Sequence, residues 1–295
     1  MCKDRNLLPE DFPLSLAESR LRPRQLFYRG TLPPKDATGI AMVGTRRPSR
    51  NAQELCRRLV NSLKGTNAVV VSGLAQGIDS FCHQAALEAG VKTIAVIAQG
   101  LEAHLTSERA ELAKKIVAAG GAILTEYQGN TPSYKGTFPA RNRIISGLSK
   151  TVVLVQSKEK GGAMITADYC LQESKLLLAV PGEFDNETAQ GPNLYLDQGK
   201  AKPIFKPESL RLLAGLPLVK SEAPSLRQLE KCGCNISPEA AGFFHRFNGF
   251  RKTFSEIQEE CNFKIGNILA ILTELEIAGL VQTSDNLQFY FNGSD

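Results

Sequence analysis

Six short apolar runs, rich in β-branched residues, punctuate the chain at Ile40–Val43, Ala68–Ser72, Thr93–Ile97, Ala122–Thr125, Thr151–Gln156 and Leu177–Val180. Each is apolar almost throughout rather than alternating, the pattern of a strand buried on both faces. Between them lie amphipathic stretches of helical length at about 49–64, 78–90, 106–119, 139–149 and 163–174. Strands and helices alternating at this spacing predict βαβ crossovers and an α/β fold, a doubly wound, mostly parallel sheet with helices on both faces. In such a sheet ligands bind beyond the carboxyl ends of the strands, where the strand order reverses. The residues that follow each run are therefore the place to look for chemistry.

The pattern weakens at both ends. Residues 1–37 are rich in proline and arginine with little periodicity and read as an irregular N-terminal arm, ahead of a main domain over 38–206. Residues 207–225 carry three prolines and one short apolar piece, as in a linker. Residues 226–295 read as a separate small domain. Ser237-Pro238-Glu239 starts a helix to about Phe247. Thr253-Phe254-Ser255-Glu256 is a capping box that opens a second, and a third runs from Ile265 to Ala278 and stops at Gly279. Leu280–Thr283 and Leu287–Phe291, joined by Ser284-Asp285-Asn286, alternate like a hairpin. Three helices followed by two strands predict a winged helix.

The 295 residues, 42% hydrophobic and 22% charged, belong to a globular chain and exclude disorder or coiled coil as the dominant character. No apolar run approaches the length of about 18 residues that a membrane-spanning helix needs, and Met1-Cys2-Lys3-Asp4-Arg5 leads into no apolar signal segment. Seven scattered cysteines, an odd number, fit reduced thiols in the cytoplasm. The net charge of +5 is unevenly placed. Residues 1–225 hold 29 basic against 21 acidic side chains, a net of +8, whereas residues 226–295 hold six against nine, a net of −3. A polyanion would go to the first region.

The strand ends supply the candidate site. Gly44-Thr45-Arg46-Arg47-Pro48-Ser49 follows the first run and opens a helix. Its glycine permits a tight turn, the helix start offers free N–H groups, and two arginines add charge, which together suit an anion. It has neither the Gly-Lys-Ser/Thr of a P-loop nor a Gly-x-Gly-x-x-Gly, and its plainer reading is a βα turn with solvated arginines. Ser72-Gly73-Leu74-Ala75-Gln76-Gly77-Ile78-Asp79 is a second such turn, and Gly161-Gly162-Ala163-Met164-Ile165-Thr166 a third, where the paired glycines admit a ligand or serve helix packing alone. In Lys135-Gly136-Thr137-Phe138-Pro139-Ala140-Arg141-Asn142-Arg143, cations flank an aromatic at a helix start. That arrangement stacks and neutralises single-stranded nucleic acid; equally, Phe138 could staple the helix and an arginine could pair with an acid. His83, one turn beyond Asp79, reads as a packing residue. Cys232-Gly233-Cys234 has the wrong spacing for zinc and no second pair. No catalytic triad, carboxylate pair or metal motif stands out, so neither catalysis nor a cofactor or metal is expected.

Taken in order, these motifs resemble the DprA/Smf family of bacterial DNA-processing proteins of natural transformation. The resemblance rests on Tyr28-Arg29-Gly30, on the three turns just quoted, on Phe138 to Ser149, on Ala179-Val180-Pro181-Gly182 and on Gly191-Pro192-Asn193. It covers about residues 24–206 and extends to a small terminal domain that many members carry. It implies a dimeric extended Rossmann fold that binds single-stranded DNA and helps load the recombinase RecA, and it implies no enzyme. Family contacts map onto Arg46, Lys135 and Phe138, with Gly44, Thr45 and Ser49 shaping the loop. The candidate DNA-binding set is thus Gly44, Thr45, Arg46, Arg47, Ser49, Gly73, Gly77, Lys135, Phe138, Arg141, Asn142, Arg143, Gly161, Gly162 and Thr166. Gln76 and Ala140 stand where basic residues are common in the family, His104-Leu105 replaces a Tyr-Pro, and the helical N-terminal domain of many relatives is reduced to the arm.

Two other readings compete. Three glycine turns could hold a mononucleotide, as in a nucleotide sensor or a phosphoribohydrolase-like enzyme with Glu126 as a strand-tip acid. Against that, residues 161–166 lack the spaced Gly-Thr and the Glu of the P-G-G-x-G-T-x-x-E pattern. Alternatively the winged helix could bind DNA, but a domain of net −3, with Glu274 and Glu276 on its third helix, supplies little phosphate neutralisation.

Overall fold

A computed structural model describes residues 5–34, 36–216, 236–247, 251–261, 263–278, 280–283 and 288–291. The chain divides into two units, 1–217 and 218–295. The larger is a nine-stranded sheet in the order β1-β2-β6-β5-β4-β3-β7-β8-β9. Its strands are β1 (Arg5–Leu7), β2 (Leu26–Gly30), β3 (Thr38–Gly44), β4 (Ala68–Ser72), β5 (Lys92–Val96), β6 (Ala122–Thr125), β7 (Thr151–Gln156), β8 (Leu176–Ala179) and β9 (Lys202–Pro203). From β6 through β9 every neighbouring pair is parallel, and β1 and β2 join antiparallel at one edge. The chain winds outward from β3 to β6, then returns across β3 to β7 and winds the other way. The reversal of order lies between β3 and β7, which opens a crevice at their carboxyl ends.

Alternation along each strand sends side chains to two cores. Val43, Val71, Val96 and Leu154 pack on one face with α4 (Thr137–Gly147) and α5 (Gly162–Gln172), through Ile144, Ile145, Met164 and Ala167. Met42, Val70 and Val153 face the other way, against α1 (Ala52–Asn61) and α2 (Ile78–Glu88), through Leu59, Val60, Ile78 and Ala86. On that second face α3 (Ser107–Ala118) covers Ala95 and Ile123 with Leu112 and Ile116. Both faces are thus buried, as continuous apolar strands require.

The irregular arm expected over 1–37 is corrected here: it carries β1 and β2. Phe27 and Tyr28 pair with Thr125 and Leu124 of β6, while Leu7, Phe12, Leu16 and Leu26 are buried in the first core. These strands are short and flanked by polar or proline residues, too brief for a period of two to stand out. The first helix starts at Ala52 rather than residue 49, because Pro48 and Ser49 belong to the loop before it. Leu210 and Leu216 of the expected linker are buried in the second core.

In the smaller unit, helices Pro238–Phe247, Phe254–Glu260 and Ile265–Ile277 enclose Phe244, Phe247, Ile268, Leu272 and Leu275. The capping box is present: Thr253 Oγ1 accepts from the Glu256 N–H and the Glu256 carboxylate accepts from the Thr253 N–H. Arg251–Thr253 is a strand that the sequence pattern did not reveal, and with Gln288–Phe291 and Val281–Thr283 it makes three antiparallel strands instead of two. Two basic residues and a threonine carry no apolar signal. The Ser284-Asp285-Asn286 turn, Gly279 and the Cys232-Gly233-Cys234 segment lie outside the described residues.

Candidate nucleic-acid interface

The crevice between the ends of β3 and β7 holds a cleft of about 380 Å³. Its floor is made by helix starts and glycine turns. Gly44, Thr45 and Arg46 line one wall, Gly161, Gly162 and Thr166 a second, and Phe138, Arg141 and Asn142 a third. These nine of the fifteen candidate residues converge there from three separate segments. Phe138, Arg141, Asn142 and Ile145 all face the cleft because they follow the i, i+3, i+4, i+7 spacing of one face of α4. At the start of α5 no side chain caps the helix. The N–H groups of Gly162 and Ala163, two residues that line the cleft, are thus left without a side-chain cap at the positive end of the helix dipole.

The first loop is held in shape by its neighbours. The Thr45 N–H donates to Gln156 O at 2.7 Å, the Ser49 N–H to Gln156 Oε1 at 3.0 Å, and Gln156 Nε2 returns a bond to Ser49 Oγ at 2.7 Å. Ser49 is therefore a brace and Arg47 points to solvent outside the lining. The second loop closes onto the first. Gly77 has φ +88° and a Cβ there would sit 2.5 Å from Thr45 O, so only glycine fits. Leu74, fully buried at φ +55°, is a non-glycine residue in the left-handed region, a strain common at functional sites. Gly73 approaches the Asp79 carboxylate and the Arg141 guanidinium too closely for any side chain. Gly73 and Gly77 thus shape the cleft from behind.

Arg141 is the anchor of this arrangement. It is 6% exposed and donates through Nη1 to Gly73 O at 2.5 Å and Val96 O at 2.6 Å. Burial lowers its pKa to about 10, against the attraction of Asp79. Burial raises Asp79 above the usual carboxylate range, opposed by Arg141 and by bonds from the Gly73 and Ala75 N–H groups. Arg143 projects from the opposite side of α4. It pairs with Glu126 at 2.5 Å and donates to Leu21 O, so it does not line the cleft. The two arginines of one motif thus have separate surroundings, and Glu126, the candidate strand-tip acid, is engaged by Arg143.

At the mouth, the Arg46 guanidinium lies 5.0 Å from the centroid of the Phe138 ring. The guanidinium sits over one face of this half-exposed ring, a cation–π contact. Lys135 is exposed on the turn before α4 but outside the cleft lining. Next to it Tyr134, 65% exposed, is an aromatic that the motif reading passed over. Lys158 and Lys160 line the cleft too, and Lys158 pairs with Glu187. Their position in the loop after β7 was the available signal, since strand-end loops form the rim. Arg109 of α3 comes close enough to Arg46 for the two charges to interact. Burial lowers its pKa, Arg46 adds to that, and its Nε donates to Leu74 O at 2.8 Å. No local motif marks it.

His83 is buried, with Nδ1 2.7 Å from Thr93 Oγ1, whose hydroxyl donates to Val70 O. Nδ1 therefore carries the proton, and burial holds the pKa down to about 3, so the ring is neutral. Cys56, Cys82, Cys170 and Cys261 are free and buried. Among the described residues no group of three or more His, Cys, Asp or Glu could hold a metal, and no helix is long and apolar enough to cross a membrane.

Fold and site together define a doubly wound α/β protein with a cationic, glycine-walled cleft at its topological switch point. A family model for DNA recombination-mediator protein A matches residues 6–213. The chain belongs to that family, the DprA/Smf DNA-processing proteins. It is 33% identical to Protein Smf of Synechocystis over 95% of this chain and 77% of that protein. It is 34% identical to Protein Smf of Escherichia coli over 70% of this chain, but only 55% of the longer relative. The solved structure of Helicobacter pylori DNA processing protein A, described for its unique single-stranded DNA binding mode, superposes with a TM-score of 0.63. It is 27% identical, over 72% of this chain and 97% of that one.

Proposed function

We propose that the cleft binds single-stranded DNA without sequence preference and that the protein hands the bound strand to the recombinase RecA. The observation that carries this is the Arg46–Phe138 pair at the mouth of a cleft walled by glycine turns. A base stacks on Phe138 while Arg46 and the N–H groups of Gly162 and Ala163 take phosphates. Lys135 and Lys160 add neutralising charge around it. Arg141, Asn142, Gly73, Gly77 and Ser49 hold the walls. Family membership supports the RecA step and a homodimer working in the cytoplasm.

The reading involves no catalysis. Glu126 is paired with Arg143, Asp79 is buried against Arg141, and His83 is neutral and enclosed. The smaller unit, read as a winged helix, serves protein contact or regulation, in keeping with its net −3 over 226–295. Fluorescence anisotropy of labelled oligo(dT) and duplex DNA at two salt concentrations, beside a thermal-shift screen with AMP and NAD, tests this. Salt-sensitive binding of oligo(dT), retained when residues 226–295 are deleted, is expected. Stabilisation by a mononucleotide alone would replace the reading with a nucleotide sensor.

A further inference from the structure

A second cavity, of about 480 Å³, lies on the far side of α4 from the cleft. It is lined by Arg22, Arg24 and Arg143, with Glu126 as its one acid, and Glu126 is paired with Arg143. Two positive charges are therefore left over. Among the described residues no carboxylate lies within ion-pair distance of Arg22 or Arg24, and both are exposed. Their backbone is fixed nevertheless. Ser19 Oγ and the Arg20 N–H both donate to Glu173 Oε1, at 2.6 and 2.9 Å, Leu21 O accepts from Arg143, and Pro23 between the two arginines is buried. Arg22 spends one N–H on Ala17 O at 2.5 Å and keeps the others. Cations presented on a clamped segment lose little further freedom when they bind an anion.

The two cavities share α4. Phe138 faces the cleft and Arg143, five residues on, faces the second cavity, roughly 7 Å along a helix about 10 Å across. Both open at the carboxyl edge of the sheet, since Glu126 follows β6. A few nucleotides bridge that separation. We infer that Arg22 and Arg24 form a second phosphodiester-binding site, which takes the continuation of the strand held in the cleft. The inference rests on the proposed DNA-binding role of the cleft.

The test compares the full chain with Arg22→Ala/Arg24→Ala and with Arg22→Lys/Arg24→Lys, on oligo(dT) of about six and about twenty nucleotides. Each oligomer is used with a 5′-hydroxyl and with a 5′-phosphate end. The alanine variant is expected to bind the long oligomer about tenfold more weakly, with a salt slope smaller by about 1.4, and the short one as wild type does. The lysine variant should recover most of the loss. Unchanged affinity for the long oligomer, or an equal loss on both lengths, overturns the second site while leaving the cleft in place. Loss confined to 5′-phosphorylated oligomers overturns the internal phosphodiester assignment in favour of a terminal phosphate. Wild type that binds neither length overturns the DNA-binding reading itself.

Discussion

Arg141→Met tests the idea that the cleft is hung on a buried charge pair. The methionine keeps the aliphatic length and removes the guanidinium, so Gly73 O and Val96 O each lose a bond of 2.5–2.6 Å and the Asp79 carboxylate loses its counter-charge. A buried acceptor left without a partner costs about 1–3 kcal/mol, and here Gly73 O and Val96 O are both left so, beside a buried Asp79 that loses the nearby cation. Two such acceptors make about 4 kcal/mol the expected cost. In a unit of this size each kcal/mol moves Tm by about 2–4 °C, which gives a drop of roughly 8–16 °C. The double variant Arg141→Met/Asp79→Asn should recover about half, because removing both charges is far milder than orphaning one. The sign with pH also follows. Burial already raises the Asp79 carboxyl in the folded state, and without Arg141 it rises further. The deficit is therefore largest at neutral pH and shrinks on acidification, as the folded carboxyl takes up a proton more readily than the unfolded one. Calorimetry with urea titration reads all three. A single variant within about 1 kcal/mol of wild type, or a strictly additive double variant, would refute the reasoning.

Two further outcomes concern the framework. His83 is neutral in the fold, with a pKa of about 3 against 6.5 unfolded. Stability is thus full above 6.5 and falls as the unfolded chain charges. The loss is about 2 kcal/mol by about pH 5, and a urea titration of His83→Gln should lack that slope; an unchanged slope would place the titrating group elsewhere. Gly77→Ala puts a Cβ on Thr45 O at φ +88° and should lower stability by about 2–3 kcal/mol or more, read by thermal melting. A melt indistinguishable from wild type would mean that the two loops are not locked together.

Much of the larger unit is legible in the sequence, because a strand buried on both faces writes a continuous apolar run and nothing else of that length competes with it. Ala68–Ser72, Ala122–Thr125 and Thr151–Gln156 fall where their runs do. The edge leaves little trace in the pattern because β1 and β2 are short and β2, on which β1 pairs, owes its strand state to β6, a partner distant in sequence. At the site, the three glycine turns were visible because tight turns demand a residue type. The division of labour between Arg141 and Arg143 was not, since side by side in a motif they differ only in the face of α4 each occupies. The pairing of Arg46 with Phe138 and the approach of Arg109 to Arg46 are tertiary facts with no local signature.

The most direct test of the central claim is oligo(dT) anisotropy with Arg46→Glu and Phe138→Ala, each checked for an unchanged melting profile. Loss of one stacked base costs about 1–3 kcal/mol, so Phe138→Ala should weaken binding by about 5- to 150-fold. Arg46→Glu should weaken it at least about tenfold and flatten its salt dependence. Folded variants that bind oligo(dT) as tightly as wild type would contradict the assignment of this cleft to single-stranded DNA.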